Sequence, residues 1–215
     1  MLHRRPDPGR RRLLSLTSGV GMLALAGTAP LIAGCSDPGV QWSLYNVRSH
    51  LPDLKFSLIG PDGTAFTEDA VQGRTVLMFF GFASCPDVCP TTMAQLTEVL
   101  RLLGPAAEDV RILFVSVDPF RDTPALLQAY VSAFNTSAIG LTGEERAIAA
   151  LAKRYRVAYQ IEAPKNADEP GQYDVTHSRG VYIFDNRGRA RLLAADTTAP
   201  DVLARDIAQL IDLTT

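Results

Sequence analysis

Beyond its first 34 residues, this 215-residue chain lacks an excess of basic side chains. Five of its 21 lysines and arginines, but only one of its 23 aspartates and glutamates, fall within residues 1–34. The remaining residues therefore carry 16 basic and 22 acidic side chains, a formal charge of −6. Nucleic-acid binding needs lysine and arginine clustered against the phosphate backbone. We therefore expect no nucleic acid among the partners.

Cysteine and histidine are also scarce. The ligand-forming residues of these two types number only six, namely Cys35, Cys85, Cys89, His3, His50 and His177. Two neighbouring thiolates alone make a poor zinc site, because structural zinc takes four protein ligands. The chain also lacks internal repeats and low-complexity tracts, which excludes a repeat architecture.

The composition is that of a globular protein with a hydrophobic core. Hydrophobic residues make up 47% of the chain and charged residues 20%, which are ordinary proportions for a soluble domain. The length allows one domain and an additional N-terminal segment. We divide the chain into an export signal with a lipobox at residues 1–34, a tether at 35–54 and one folded domain at 55–215.

The N-terminal segment has the pattern of an export signal. Five arginines precede an apolar stretch at residues 13–33, which ends in the run Leu31-Ile32-Ala33-Gly34-Cys35. This run resembles a bacterial lipobox, in which cleavage before the cysteine leaves a lipidated N-terminus, and residues 10–14 resemble a twin-arginine signal. An uncleaved N-terminal helix is the weaker alternative, because serines, threonines and Pro30 interrupt the apolar stretch. We therefore expect a domain on the periplasmic side of a bacterial membrane, anchored through lipidated Cys35.

The order of apolar segments predicts an α/β fold. Two almost wholly apolar runs are typical of buried strands, and apolar residues at helical spacing indicate four helices. The predicted strands are residues 75–80 and 110–117, the helices are 90–103, 123–134, 144–154 and 200–211, and the hairpins lie within 56–66 and 180–193. Residues 157–161 fit an extended segment, and residues 162–176 fit a polar loop. This order predicts a thioredoxin-like mixed sheet with helices on both faces and an added N-terminal hairpin.

Two cysteines stand where the first predicted strand meets a helix. Cys85 and Cys89 are separated by three residues, and Pro90 suits the first turn of the helix. Unpaired N–H groups at a helix N-terminus stabilise thiolate, the form that binds metals and attacks disulfides. The spacing allows the two sulfurs either to flank a metal ion or to form a disulfide. Soft thiolates together with one imidazole suit copper, especially Cu(I).

His177 is the imidazole that could join this pair. His3 lies in the export signal and His50 in the tether, whereas His177 ends the polar loop just before a predicted strand. A lone histidine is more often a surface or core residue than a ligand. In a thioredoxin arrangement, however, the segment before this strand packs beside the cysteine turn, which favours a ligand role for His177.

Residues 118–124 form a second distinctive stretch. Asp118 follows the second buried strand, at the sheet edge where α/β proteins place their sites. Asp122 or Thr123, before Pro124, fits the N-cap of the following helix. We interpret Asp122 and Thr123 as structural and keep a structural and a functional role open for Asp118.

These motifs together resemble the SCO/SenC family of copper chaperones for cytochrome c oxidase assembly. The resemblance rests on FFGFASCPDVCPTT at 79–92, LFVSVDPFRDTP at 113–124, YDVTHSRGVYIFDNRG at 173–188 and IGLTG at 139–143, and it covers roughly residues 42–211. It implies that Cys85, Cys89 and His177 bind one copper ion per chain, as Cu(I), Cu(II) or both. It also implies an upstream copper donor and delivery to the copper centre of an oxidase subunit.

One position departs from the family pattern. The family often has an aspartate directly before the histidine, and this chain has Thr176 there, with Asp174 two residues earlier. Asp174 is a candidate to replace the missing aspartate as a hydrogen-bond partner of a metal ligand. Asp118, at the end of the second buried strand, is another candidate for such a hydrogen bond.

Three function classes compete for these residues. The first is a copper-binding assembly factor, which is not an enzyme. The second is a thiol–disulfide reductase that keeps partner cysteines reduced for metallation, and it does not require His177. The third is a peroxidase of the peroxiredoxin type, which is the weakest because the chain has no Thr-x-x-Cys turn. His177 therefore discriminates between the first two classes.

Overall fold

A computed structural model describes residues 40–164, 166, 168, 169 and 171–214. The predicted export signal, Cys35 and His3 lie outside these residues. The folded unit comprises Val40–Thr215. It therefore includes residues 40–54, which the sequence analysis assigned to a tether. Within the described part of the chain, no helix has the length and apolar character needed to cross a membrane.

A mixed six-stranded sheet forms the centre of the fold, as predicted. Its central strand is buried at all seven positions and apolar after Thr75, and it pairs parallel to one neighbour and antiparallel to the other. Such a strand must be covered on both faces, which explains its continuous run of apolar residues. The strands lie in the order β1 (Tyr45–Asn46), β10 (Ala190–Ala194), β9 (Val181–Phe184), β4 (Thr75–Gly81), β5 (Val110–Ser116) and β6 (Ala138–Leu141).

Within the described residues, four helices contribute buried side chains to the core around this sheet. They are α1 (Val88–Leu103), α2 (Pro124–Ser132), α3 (Glu145–Arg154) and α4 (Pro200–Asp212). Helix α1 contacts α4, and α2 contacts β6. Gly104 ends α1 at a φ of 57°, a conformation that glycine adopts without a steric penalty. Helix α1 begins two residues before the predicted start, because Pro90 is also tolerated later in the first turn, where its missing N–H has no helical acceptor.

Two small hairpins lie outside the central sheet. The predicted one joins β2 (Ser57–Ile59) to β3 (Ala65–Thr67). The other joins β7 (Tyr159–Ile161) to β8 (Val175–His177), and it gives extended structure to a part of the chain that was predicted as loop. His177 is the last residue of β8, and it pairs with Tyr159. The ladder of the central sheet therefore does not hold His177.

The segment before the first hairpin belongs to the folded unit. Strand β1 pairs with β10, and the buried carboxylate of Asp206 accepts hydrogen bonds from the backbone N–H groups of Ser43 and Leu44 at 2.7 and 2.8 Å. Leu54 is buried in the core. Residues 43–54 therefore form an edge of the domain. Their polar, turn-rich composition concealed this role, because a two-residue strand has no periodicity to detect.

A buried ion-pair cluster lies at the end of the sheet where β4 begins. The fully buried Asp185 carboxylate accepts hydrogen bonds from Arg189 and Arg191 at 2.8 and 2.9 Å, and also from the backbone N–H of Arg187. Burial alone would raise the pKa of Asp185, but these donors hold it below its usual value. The cluster thus stabilises the β9–β10 turn. This turn lies near the start of β4, whereas the cysteine turn follows the end of β4.

Candidate metal centre

The cysteine turn connects the end of β4 to the start of α1. The Cys85 N–H donates to the Phe82 carbonyl at 3.2 Å, which closes the turn, and the Cys89 N–H donates to Cys85 Sγ at 3.4 Å. Cys85 is half-buried, whereas Cys89 lies in the first turn of α1 and is fully buried. Both thiols are free. One sulfur is thus open to solvent and the other is enclosed by the core.

Gly81 makes room for the enclosed sulfur. A Cβ atom at this position would lie 2.8 Å from Cys89 Sγ and 2.9 Å from Phe114 Cζ, closer than real Cβ contacts allow. Any larger residue at the end of β4 would therefore displace either the sulfur or the aromatic ring.

His177 completes the group from the β7–β8 hairpin. Its Nε2 lies 3.4 Å from Cys89 Sγ, and its Nδ1 lies 2.8 Å from the Ser178 carbonyl. Because a carbonyl only accepts, Nδ1 carries the proton, and the Nε2 lone pair faces the sulfur. The rings of Phe79 and Phe82 pack edge-on to the imidazole at 5.8 and 5.9 Å. Aromatic packing and one backbone carbonyl therefore orient the imidazole.

Three ligand atoms meet at this point. The sulfurs of Cys85 and Cys89 and a ring nitrogen of His177 all lie within 4.8 Å of one another, and they form the one such group found among the described residues. Two soft thiols and one imidazole match the ligands that copper prefers, and they are one ligand short of a structural zinc site. The donor set therefore fits one copper ion.

Burial dominates the electrostatics of this group. It raises the pKa of the Cys89 thiol, with smaller contributions from the neighbouring Cys85 sulfur and Asp122 carboxylate. At Cys89, burial therefore acts against the thiolate form that a helix N-terminus favours. Burial also lowers the pKa of His177, which keeps its imidazole neutral and able to bind a metal.

The two aspartates predicted to support the ligands lie in different surroundings. Asp118 is fully buried, forms an ion pair with Nε of Arg121, and accepts a hydrogen bond from the Tyr173 hydroxyl at 2.7 Å. Asp174 is exposed, and its backbone carbonyl accepts from the Glu162 N–H at 3.0 Å. The hydrogen-bond partner of His177 Nδ1, the ring nitrogen that faces away from the sulfurs, is the Ser178 carbonyl.

The β5–α2 loop supports the cysteine turn through Asp122. Its Oδ2 accepts from the Ala83 N–H at 3.0 Å and from the Ser116 hydroxyl at 2.6 Å, whereas its Oδ1 is buried without a partner. Burial raises the pKa of this carboxyl. The N-cap of α2 is Thr123, whose hydroxyl accepts from the Leu126 N–H. Asp122 therefore supports the cysteine turn, and Thr123, the other predicted candidate, caps α2.

Sequence reasoning missed three residues near the site. Arg121 stacks on the ring of Tyr173, and Tyr130 buries a hydroxyl that has no hydrogen-bond partner. Burial and the charges of the Cys89 and Cys85 sulfurs raise the pKa of Tyr130. Arg121 follows Asp118 by three residues in the sequence, and this spacing was the one available indication, because the other contacts are long-range.

Comparison with known proteins agrees with this geometry. The family model described as SCO1/SenC matches residues 49–212. The chain belongs to the SCO1/SenC family. Within the family, an SCO2-like protein from Rickettsia prowazekii is 34% identical over 182 residues, which are 82% of this chain and 84% of that protein.

Solved structures of the family superpose on this chain. ScoI from Bradyrhizobium japonicum, solved with copper bound, is 35% identical, covers 74% of this chain and 99% of its own, and has a TM-score of 0.66. An SCO1/SenC family lipoprotein from Bacillus anthracis is 25% identical, covers 74% and 94%, and has a TM-score of 0.61. The predicted mixed α/β fold of thioredoxin type is thereby confirmed.

Proposed function

We propose that this chain is a copper-binding assembly factor that delivers copper to the copper centre of a cytochrome c oxidase subunit. The observation that carries the proposal is the group of two sulfurs and one imidazole nitrogen within 4.8 Å. The related ScoI from Bradyrhizobium japonicum holds copper, and the resemblance to the SCO/SenC family supports the oxidase as the recipient.

The residues perform distinct parts of this work. Copper loading displaces the thiol protons of Cys85 and Cys89, because metals bind the thiolate form. The half-buried Cys85 sulfur is the accessible one, so a donor or acceptor protein reaches it first. The neutral His177 supplies a nitrogen ligand, which matters more for Cu(II) than for Cu(I).

Oxidase activity in cells tests the proposal. Cells that lack this chain are expected to lose cytochrome c oxidase activity at limiting copper and to regain it with the full-length chain. Added copper is expected to restore part of the activity without the chain, because it bypasses delivery. Oxidase activity that is independent of the chain at every copper concentration would contradict the proposal.

A thiol–disulfide reductase is the second candidate, favoured by the 3.4 Å contact between the Cys89 N–H and Cys85 Sγ. The two cysteines would reduce a disulfide of the oxidase subunit. One thiolate attacks that disulfide, the other displaces the partner sulfur, and a Cys85–Cys89 disulfide and two partner thiols result. The more exposed Cys85 is the attacking residue in this scheme.

A buried glycine provides a test of the copper site. Gly81→Ala is expected to lower the free energy of unfolding by about 1–3 kcal/mol, because the new methyl group overlaps Cys89 Sγ. It is also expected to weaken copper retention against a chelator, since it moves a ligand. Gly140→Ala is the matched control, because its Cβ would also lie 2.8 Å from a neighbour, Leu127 Cβ. Equal copper loss in both variants would contradict the assignment of Cys89.

Export and lipidation complete the proposal. We place the domain on the periplasmic side of a bacterial membrane, anchored through Cys35, because a lipobox-like run ends at this residue. The related protein from Bacillus anthracis is described as a lipoprotein. Intact-mass analysis of membrane-extracted protein is expected to find a lipid-modified chain that begins at Cys35, and Cys35→Ala is expected to leave the domain folded but mislocalised. A chain that retains residues 1–34 unmodified would contradict this assignment.

A further inference from the structure

The His177 ligand depends on contacts outside the central sheet. Strand β8 pairs with β7 alone, and this two-stranded unit is separate from the sheet that carries the cysteine turn. The distance between Cys89 Sγ and His177 Nε2 is therefore set by side-chain packing and not by a shared backbone ladder. Tertiary contacts of other residues must therefore hold the histidine segment against the cysteine turn.

Arg121 makes the contacts that join the two parts. Its guanidinium carbon lies 3.9 Å from the centroid of the Tyr173 ring, and Nη1 donates to the carbonyls of Gly171 and Tyr173 at 3.3 and 3.1 Å. The same guanidinium lies 5.7 Å from the centroid of Phe82, whose ring packs edge-on to His177. One side chain of the β5–α2 loop thus contacts both the cysteine turn and the segment that leads into β8.

Asp118 fixes this arginine from the other side. Its fully buried carboxylate pairs with Nε of Arg121 and accepts the Tyr173 hydroxyl, so all three side chains are joined in a closed arrangement. Burial, with the bond to Asp118, raises the pKa of Tyr173 to about 12, which keeps its hydroxyl protonated and able to donate. A planar guanidinium that stacks on a ring and donates in several directions cannot be replaced by lysine.

We propose that Arg121, Asp118 and Tyr173 form a latch that positions His177 against the two cysteine sulfurs and thereby allows the site to retain Cu(II). This inference rests on the proposed copper function. The three side chains are positioning residues, because they contact the segment that carries the ligand and not the metal. Opening the latch leaves Cys85 and Cys89 in place, and two thiolates suffice for Cu(I), whereas Cu(II) prefers an additional nitrogen ligand.

The test compares two latch variants with one matched control. Arg121→Ala removes the central side chain but leaves the buried Asp118 carboxylate without its cation, which costs stability. Tyr173→Ala removes the stacking partner and keeps the Asp118–Arg121 pair. Arg191→Ala is the control, because Arg191 also pairs with a fully buried aspartate and is 14% exposed, compared with 21% for Arg121, but it lies at the other end of the sheet.

Hydrogen exchange of the metal-free full-length protein gives the first readout. In both latch variants, the amides of residues 171–178 are expected to exchange about 10-fold faster than in the wild type, because the segment opens locally. The Arg191→Ala control is expected to leave these amides unchanged. Unchanged exchange in a folded Tyr173→Ala variant overturns the latch, whether or not the chain binds copper.

Copper retention gives the second readout. Both latch variants are expected to lose Cu(II) to a chelator about 10- to 100-fold more readily than the wild type, the range found when residues behind metal ligands are replaced. Cu(I) retention is expected to change much less, and the Cu(II)–thiolate absorption is expected to shift. Equal losses of Cu(I) and Cu(II), or the same loss in Arg191→Ala, overturn the latch. A wild-type chain that binds no copper refutes the proposed function, and the exchange result then decides the latch alone.

Discussion

Cys85→Ser with Cys89→Ser is expected to reduce bound copper from one equivalent to below about a tenth, because both soft ligands are lost and one imidazole remains. The domain is expected to stay folded, since serine differs from cysteine by one atom and the rest of the core is unchanged. Placing a hydroxyl at the fully buried position of Cys89 is expected to cost about 1–3 kcal/mol of stability. Metal analysis of anaerobically purified protein after dialysis against a chelator measures the effect.

The third cysteine provides the control for this experiment. Cys35→Ser removes a thiol of the same chain that is not one of the three candidate ligands, so its copper content is expected to equal that of the wild type. A full equivalent of copper in the double variant would show that the ligands are other residues. Loss of copper in Cys35→Ser would point to a site shared with the N-terminal segment.

His177→Ala is expected to separate copper delivery from thiol reduction. The variant is expected to keep Cu(I) on the two sulfurs, to lose most stable Cu(II) binding, and to fail in oxidase maturation. The Cys85–Cys89 pair is expected to cycle between dithiol and disulfide as before, because thiol–disulfide exchange needs only the two sulfurs and an accessible turn. Oxidase activity at limiting copper, in cells that lack the wild-type chain, measures the outcome.

His50→Ala is the matched control, because His50 is exposed and belongs to neither the cysteine turn nor the β7–β8 hairpin. It is expected to support oxidase maturation as the wild type does. Full rescue by His177→Ala would remove copper from the mechanism and favour the reductase. Failure of both variants would show that the loss of oxidase maturation is not specific to His177.

Long apolar patterns made most of the fold predictable. The seven consecutive buried residues of β4 and the run of five at residues 112–116 of β5 are recognisable without a structure, because a strand covered on both faces has no polar alternation. Helix α4 repeats its apolar residues at helical spacing and was predicted to within one residue. Strands β1, β6 and β8 were missed as strands, because two to four residues hold too little pattern to outweigh their neighbours.

The ligand set was predictable for a different reason. Cysteine and histidine are rare in this chain, so few residues could bind copper. The predicted fold placed the histidine segment near the cysteine turn, which singled out Cys85, Cys89 and His177. The supporting residues had no such property. Tyr173 and Asp118 are 55 residues apart, and tyrosine and aspartate are common enough that neither suggested a partner.

The sequence by itself therefore determined the fold class, the cysteine turn at the start of α1 and the identity of the three candidate ligands, because these follow from local patterns and rare residues. Only the tertiary structure decided how those ligands behave. It placed Cys89 in the core, where burial raises the thiol pKa. It also brought Arg121 against Tyr173 and Cys89 against His177, 88 residues away in the chain. Burial and long-range contact arise only when the chain folds, so no local pattern contains them.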